Sequence, residues 1–183
     1  MTSAPRRQTD LHLVLIGLPG AGKSSLGRAV ARQLNRPFMD FDTEIERRSH
    51  ATVSHIFAER GEAAFREMEV ELTHELVAAP PMVLAPGGGW VTNPGVLALL
   101  RPRSTIIHLR VSPSEAVRRV SRSRRVRPLL RTTDPLMTMQ QLWESRAHLY
   151  ALADVEIATE VHDSQRVIDS IVALAIDLTP ELG

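Results

Sequence analysis

Short runs of apolar residues alternate along this chain with longer segments in which apolar residues recur every three or four positions. The run LHLVLI, residues 11–16, ends at a glycine and is typical of a buried parallel strand. Residues 23–34 then carry leucine, valine and alanine at helical spacing, and Asn35 and Pro37 stand where such a helix would end. The chain is therefore predicted to open with a strand, a turn and a helix.

The alternation continues to the carboxyl end. PFMDFD is predicted to be a second strand that ends in acidic residues, and TEIERRSH a short helix capped by Thr43. Residues 62–79 contain no glycine or proline and place apolar residues on one face, which predicts a helix. The other predicted strands are MVLA, STIIHLRV and VEIA, and the other predicted helices begin near Asn93, Ser112, Leu136 and Ser164.

Strands that alternate with helices predict an α/β fold. Right-handed crossovers would give a parallel sheet with helices on both faces, which is a three-layer arrangement. The length of 183 residues fits one domain, and the sequence has no internal repeat. We expect a disordered tail over residues 1–10 and a single domain over residues 11–183.

The charge balance excludes some partners. The chain has 22 basic and 21 acidic residues, so its net charge of +1 gives no general attraction to nucleic acid or to an anionic membrane. It has no cysteine, which excludes disulfides and thiolate metal sites. The first ten residues are polar, and no apolar run is long enough for a membrane span. We expect a cytoplasmic protein and, in addition, a monomer.

Lysine usage is unusual. Of the 22 basic residues, Lys23 is the only lysine. Arginine therefore serves wherever a positive charge is enough, and Lys23 is a candidate for chemistry that needs a compact ammonium group on a flexible stem.

The segment GLPGAGKS, residues 17–24, fits the pattern of a phosphate-binding loop between a strand and a helix. Glycines in such a loop let backbone N–H groups turn toward a phosphate chain at a helix N-terminus. Lys23 would reach the β and γ phosphates, and the hydroxyl of Ser24 would bind magnesium. The alternative is a tight glycine turn without a ligand.

Three acidic or basic features can complete such a site. Asp40 and Asp42 stand two apart at the end of the predicted second strand, so both would point to the same side, near the loop. One could hold magnesium and the other a substrate hydroxyl, or both could be solvated. Arg66 could bind a ligand, or it could pair with Glu62 or Glu69 at helical spacing.

A dense arginine cluster lies between residues 118 and 131. It lacks the interleaved aromatic residues of a nucleic-acid-binding surface. A lid over about residues 118–135 that closes on a triphosphate gives a better account, with Arg127 of the RPLL segment as its principal member.

Six segments in a fixed order resemble the shikimate kinase family: GLPGAGKSS, DFD, FREME, GGG, RPLL and RAHLY. The similarity extends from about residue 11 to residue 178. It implies a nucleoside-monophosphate-kinase-like fold with a five-stranded parallel sheet. It also implies transfer of the γ-phosphoryl group of ATP to the 3-hydroxyl of shikimate, with Mg²⁺ as cofactor.

The resemblance also implies roles for individual residues. ATP would bind Gly20, Ala21, Gly22, Lys23, Ser24, Ser25, Arg119 and Arg127, and magnesium would bind Ser24 and, through water, Asp40. Shikimate would bind Asp42, Arg66, Gly87, Gly88, Gly89 and Arg146. Lys23, Asp42 and Arg127 would be catalytic, with Arg119 stacked on adenine.

Two positions depart from the family pattern. Trp90 follows the glycine triplet where a small or aliphatic residue is usual, and EVHD, residues 160–163, offers no late adenine contact. Trp90 could pack beneath the turn, flank the substrate ring or narrow the pocket toward another substrate. The alternative functions are another small-molecule kinase, for gluconate or a nucleoside monophosphate, and a catalytically silent ligand sensor.

Overall fold

The computed structural model describes residues 10–122 and 133–176. Its strands are β1 (His12–Ile16), β2 (Phe38–Asp40), β3 (Val83–Ala85), β4 (Ser104–Arg110) and β5 (Val155–Ala158). Its α-helices are α1 (Lys23–Leu34), α2 (Phe41–Ser49), α3 (Val53–Leu76), α4 (Val96–Leu100), α5 (Pro113–Ser121), α6 (Pro135–Tyr150) and α7 (Ser164–Leu174). The predicted tail up to residue 9 and Arg127 lie outside the described residues, as does most of the predicted lid.

The five strands form one parallel sheet in the order β2-β3-β1-β4-β5. Strand β1 occupies the centre, and each of its residues is buried. The order reverses direction at β1, because the chain passes from β1 to one side and later returns to the other. Ligands bind at the carboxyl ends of the strands beside such a switch point. The predicted α/β fold with a five-stranded parallel sheet is confirmed.

Helix α1 matches its predicted range. It is capped after Leu34 by Asn35, which has φ 52° and donates its backbone N–H to the carbonyls of Ala31 and Arg32. A left-handed residue at this position satisfies carbonyls that the last turn leaves open. The buried face of α1 packs against β3 and α7, so the start of the helix is held firmly beside the sheet.

The boundary between β2 and α2 differs from the prediction. The strand ends at Asp40, and α2 begins at Phe41. The Oδ1 atom of Asp40 accepts a hydrogen bond from the backbone N–H of Thr43, so Asp40 caps the helix and the predicted Thr43 cap is wrong. Asp42 consequently lies in the first turn of a helix and not on the strand.

Helix α3 is bent at Gly61. This residue has φ 77° and ψ 173°, which interrupts the helical path between the segment that starts at Val53 and the segment that carries Arg66. The prediction of a helix from residue 62 is confirmed, but its end lies at Leu76 and not at residue 79. The helical segment before Gly61 was not predicted.

The core lies on both faces of the sheet. Its largest fully buried side chains include Trp90, Tyr150 and Phe41. Trp90 opens a short 3-10 turn directly after the glycine triplet, so the core reaches up to the carboxyl edge of the sheet. Within the described residues, no helix is both long enough and apolar enough to cross a membrane.

Candidate active site

A cavity of about 560 Å³ opens at the carboxyl ends of the strands. Its walls come from segments that follow β1, β2, β3 and β5, together with the last turns of α5. Residues that line it include Gly20, Gly22, Lys23, Ser24, Ser25, Asp40, Asp42, Gly87, Gly88 and Arg119. Most of the side chains predicted from separate segments therefore face one space.

The glycine-rich loop packs closely against α5. Gly20 has φ 87°, and a Cβ atom there would lie 2.6 Å from the carbonyl oxygen of Ala116. Only glycine fits both the backbone conformation and this approach. Lys23 is 8% exposed, and its Nζ donates to the carbonyls of Gly17 (2.7 Å) and Leu18 (3.1 Å). The ammonium group is thus held along the loop.

Ser24 and Asp40 meet at the floor of the cavity. The Ser24 hydroxyl donates a hydrogen bond to Oδ2 of Asp40. A hydroxyl and a carboxylate are oxygen donors of the kind that Mg²⁺ prefers, and Mg²⁺ commonly completes its coordination with water and substrate phosphates. These two residues therefore fit a magnesium site beside Lys23.

The glycine triplet is surrounded by the residues predicted to bind substrate. A Cβ atom on Gly87 would lie 3.0 Å from Oδ1 of Asp42, and a Cβ atom on Gly89 would overlap the guanidinium group of Arg66. The carbonyl of Gly88 accepts a hydrogen bond from Nη1 of Arg146 at 2.9 Å. Asp42, Arg66 and Arg146 thus come from three different segments and meet at one turn.

Arg66 pairs with both neighbouring glutamates. Its Nη1 lies 2.7 Å from Oε2 of Glu69, and its Nη2 lies 2.6 Å from Oε1 of Glu62. Burial raises the pKa of Glu69, although the ion pair with Arg66 acts against this. Asn93 donates to the same Oε2 atom, while Oε1 of Glu69, which faces Gly87, has no hydrogen-bond partner among the residues that the structure describes. The helical pairing considered for Arg66 is present, and it leaves the guanidinium against the triplet.

Arg119 is fixed at the other end of the cavity. Its Nε donates to Glu115 (2.7 Å), and its two Nη atoms donate to the hydroxyl (3.0 Å) and the carbonyl (2.9 Å) of Thr159. Hydrogen bonds from Arg118 and Arg119 lower the pKa of Glu115 to about 2. All three nitrogens of the Arg119 guanidinium group thus donate a hydrogen bond, and Arg119 lines the cavity.

Some predicted residues do not line the cavity. Ala21 is fully buried, and its N–H donates to the carbonyl of Leu18. Gly89, Arg66 and Arg146 are not among the lining residues, but the Arg66 guanidinium group lies against Gly89 and Arg146 donates to the carbonyl of Gly88. The structure also adds residues that sequence reasoning missed. They include Glu69 of the FREME segment, which lies against Gly87, and Thr159 after β5 with Ser164 and Val167 of α7, which line the cavity.

Trp90 lies in the core. Its side chain is 0% exposed, and its Nε1 donates to Oγ1 of Thr73 at 2.9 Å. It is not among the residues that line the cavity. Of the three interpretations, packing beneath the turn is confirmed, and the side chain that departs from the family pattern forms no part of the cavity wall.

Solved structures with this fold include close and distant matches. Shikimate kinase from Acinetobacter baumannii in complex with shikimate is 33% identical, with a TM-score of 0.85 over 91% of this chain and 93% of that chain. A gluconokinase from Sinorhizobium meliloti 1021 is only 16% identical, with a TM-score of 0.59 over 92% of this chain and 95% of that chain. The second likeness shows the fold alone.

Sequence comparison gives the family. A shikimate kinase from Paracidovorax citrulli is 45% identical over 146 residues, which is 79% of each chain. The family model for shikimate kinase matches residues 19–175. This range includes the glycine-rich loop from Pro19, the triplet and every described side chain that surrounds it. The chain belongs to the shikimate kinase family.

Proposed function

We propose that this protein transfers the γ-phosphoryl group of ATP to the 3-hydroxyl of shikimate. The observation that carries the proposal is the meeting of Asp42, Arg66 and Arg146 around the glycine triplet, at one side of a cavity that also contains the glycine-rich loop. The carboxylate of shikimate can pair with the guanidinium groups of Arg66 and Arg146, and its ring hydroxyls can donate hydrogen bonds to the carboxylate of Asp42.

The nucleotide phosphates bind along residues 20–25. Backbone N–H groups at the start of α1 and the Lys23 ammonium group neutralise phosphate charge. Ser24 and Asp40 would hold Mg²⁺, which would neutralise phosphate charge when bound. Arg119 presents its guanidinium face to adenine, because Glu115 and Thr159 engage its donors. Arg127 remains the lid residue predicted from sequence.

Asp42 acts on the shikimate hydroxyls. Its carboxylate accepts a hydrogen bond from the attacking 3-hydroxyl, which orients the oxygen toward the γ-phosphorus. A bond forms between that oxygen and the γ-phosphorus while the bond from the γ-phosphorus to the β–γ bridging oxygen breaks, and the hydroxyl proton passes to Asp42. The products are shikimate 3-phosphate and ADP. Arg66 and Arg146 hold the substrate carboxylate, which fixes the ring in this orientation.

Other functions receive less support. A kinase for gluconate or for a nucleoside monophosphate would need the glycine-rich loop but not this set of Asp42, two arginines and a glycine triplet. A silent ligand sensor would not need the Ser24–Asp40 pair beside Lys23. The expectations of a monomer, a cytoplasmic location and no nucleic-acid or membrane partner stay predictions from the sequence.

A coupled assay tests the proposal. Purified protein with Mg-ATP should release ADP only when shikimate is added, and gluconate and nucleoside monophosphates should give no more than background. Turnover that does not depend on shikimate would reject the proposal. A Lys23→Ala variant that kept its full biological function would favour the ligand sensor.

A further inference from the structure

The Trp90 side chain connects three segments of the active site. It follows the glycine triplet, and its Nε1 donates to Oγ1 of Thr73 in α3. Its ring meets that of Phe41, the first residue of α2, edge-on, with centroids 6.2 Å apart and an angle of 78° between the planes. One buried side chain therefore contacts each segment that carries Asp42, Arg66 or the triplet.

The polar contacts of Trp90 are specific. Trp90 and Thr73 are both 0% exposed, and the Thr73 hydroxyl donates in turn to the carbonyl of Glu69 at 2.6 Å. A buried indole N–H without an acceptor would lose a hydrogen bond that water otherwise supplies. The hydrogen bond between Trp90 and Thr73 therefore forms in only one position of the indole relative to α3. Thr73 lies one helical turn from Glu69, which forms the ion pair with Arg66.

The backbone of Trp90 fixes the other side of this connection. Its N–H donates to the carbonyl of Gly87 at 3.0 Å, which closes the turn. Movement of the indole therefore moves the triplet. On the α2 side, Phe41 lies between Asp40 and Asp42 in the chain, so a shift of the aromatic contact also moves the carboxylate beside Gly87.

We propose that Trp90 and Thr73 are positioning residues for the shikimate side of the site. Their hydrogen bond sets the position of the glycine triplet relative to Asp42 and Arg66, and this inference rests on the proposed function. Neither residue lines the cavity, so both act through the groups that they hold. Loss of the hydrogen bond should therefore change the kinetics for shikimate and not those for ATP. The described ring and hydrogen-bond partners of the indole include no residue of the glycine-rich loop.

Substitution of Thr73 tests the proposal most directly. Thr73→Val keeps the side-chain shape and removes the acceptor, whereas Thr73→Ser keeps the hydroxyl. Since small displacements of positioned groups cost up to about 100-fold in rate, we expect Thr73→Val to raise KM for shikimate or lower kcat/KM for shikimate about tenfold. KM for ATP should stay within about twofold of wild type, and Thr73→Ser should restore most of the activity.

A matched control separates positioning from loss of stability. Ile171 is fully buried in α7, away from the triplet, and Ile171→Val removes one methylene from the core. This variant should lower Tm without changing either KM. Trp90→Phe removes the same hydrogen bond from the donor side. The loss of kcat/KM for shikimate in the double variant Trp90→Phe/Thr73→Val should therefore be smaller than the sum of the two single losses, expressed as free energies.

Hydrogen exchange gives a readout that does not need activity. Amides of residues 87–92 should exchange faster in Thr73→Val than in Ile171→Val. An inactive wild-type protein would count against the proposed function alone, because the exchange comparison still tests the hydrogen bond. If Thr73→Val does not fold, Trp90→Phe and Thr73→Ser give the same comparison. Equal rises in both KM values, or a loss of Tm with unchanged shikimate kinetics and unchanged exchange, would overturn the positioning role.

Discussion

The Ser24 hydroxyl donates a hydrogen bond to Oδ2 of Asp40, which joins the first turn of α1 to the end of β2. The two oxygen atoms, both potential ligands of Mg²⁺, lie side by side although the residues are 16 positions apart in the chain. Asp40 has a second structural task, because its Oδ1 caps α2 through the N–H of Thr43. The two tasks can be separated by substitution.

Asp40→Asn and Asp40→Ala should both lose activity, but only the alanine variant should lose stability. Asparagine caps helices about as well as aspartate, whereas loss of a cap costs about 1 kcal/mol. We expect kcat/KM for Mg-ATP to fall about 100-fold in both variants, as for removal of a group that stabilises charge. Urea unfolding and kinetics over a range of Mg²⁺ concentrations provide the measurements. Full activity of Asp40→Asn would exclude a magnesium role.

Lys23→Arg should abolish most of the activity although the positive charge remains. Lys23 is nearly buried, and its ammonium group fits between the carbonyls of Gly17 and Leu18. A planar guanidinium group is larger and cannot follow the same path. We expect kcat to fall at least about 100-fold, with far-UV circular dichroism unchanged. Retention of wild-type kcat would show that charge alone is sufficient.

Gly89→Ala and Gly61→Ala form a pair that separates crowding at the site from backbone strain. Gly89 has φ −94°, which alanine adopts freely, but its Cβ would overlap the guanidinium group of Arg66. Gly61 has φ 77° and ψ 173°, and a Cβ atom there would meet none of the described residues within 4 Å. Gly89→Ala should therefore raise KM for shikimate about tenfold with little loss of stability, as expected when a positioned group is displaced.

Gly61→Ala should show the opposite effects. At φ 77° and ψ 173° the backbone is in a region essentially restricted to glycine, which costs an L-residue about 1–3 kcal/mol, so the free energy of unfolding should fall by about that amount. KM for shikimate should stay at the wild-type value, because no atom of the described residues lies within 4 Å of the added methyl group. Thermal unfolding and steady-state kinetics of the two variants would check both expectations, and an increased KM in Gly61→Ala would contradict this separation.

The free energy of unfolding should decrease as the pH falls below 6.5. His12 is buried, accepts from the N–H of Met82 at Nδ1 (3.2 Å) and donates from Nε2 to the carbonyl of Leu76 (3.0 Å). Protonation of Nδ1 removes the acceptor for the Met82 N–H, so only the neutral ring makes both bonds, and burial lowers the pKa of His12 from 6.5. Its contribution is therefore complete above pH 6.5 and is lost as the pH falls toward the lower folded pKa.

Urea unfolding between about pH 7.5 and about pH 5.5 would measure this dependence. His12→Gln removes the titrating group and should give a shallower slope. His108 is also buried with a lowered pKa, so part of the slope should remain in that variant. An unchanged slope in His12→Gln would assign the dependence to other groups.

The parts of the fold predicted correctly are those governed by local patterns. The range of α1 follows from its apolar spacing and from Asn35, and β1 follows from a continuous apolar run. The Asp40 cap was missed because an aspartate at a strand end and one at a helix start look alike in sequence. Asp42 lines the cavity as predicted, but it does so from the first turn of α2 and not from the end of a strand.

The missed site residues depend on contacts that no local pattern contains. Glu69 looks like an exposed helical glutamate in the sequence, yet Arg66, Asn93 and the triplet enclose it. Thr159 serves Arg119, which lies 40 residues earlier in the chain, and only the pairing of β4 with β5 brings them together. Long-range geometry of this kind has no signature in a single sequence.

The single lysine has a consequence for chemical labelling. Lys23 is the only lysine in the sequence, so an amine-acylating reagent has one side-chain amine to modify. Because Lys23 is shielded by the carbonyls of its own loop, a general reagent should modify it slowly. An acyl-phosphate analogue of ATP would instead deliver its reactive carbon to this one side chain. Intact mass would then give a direct count of nucleotide-competent molecules in a preparation.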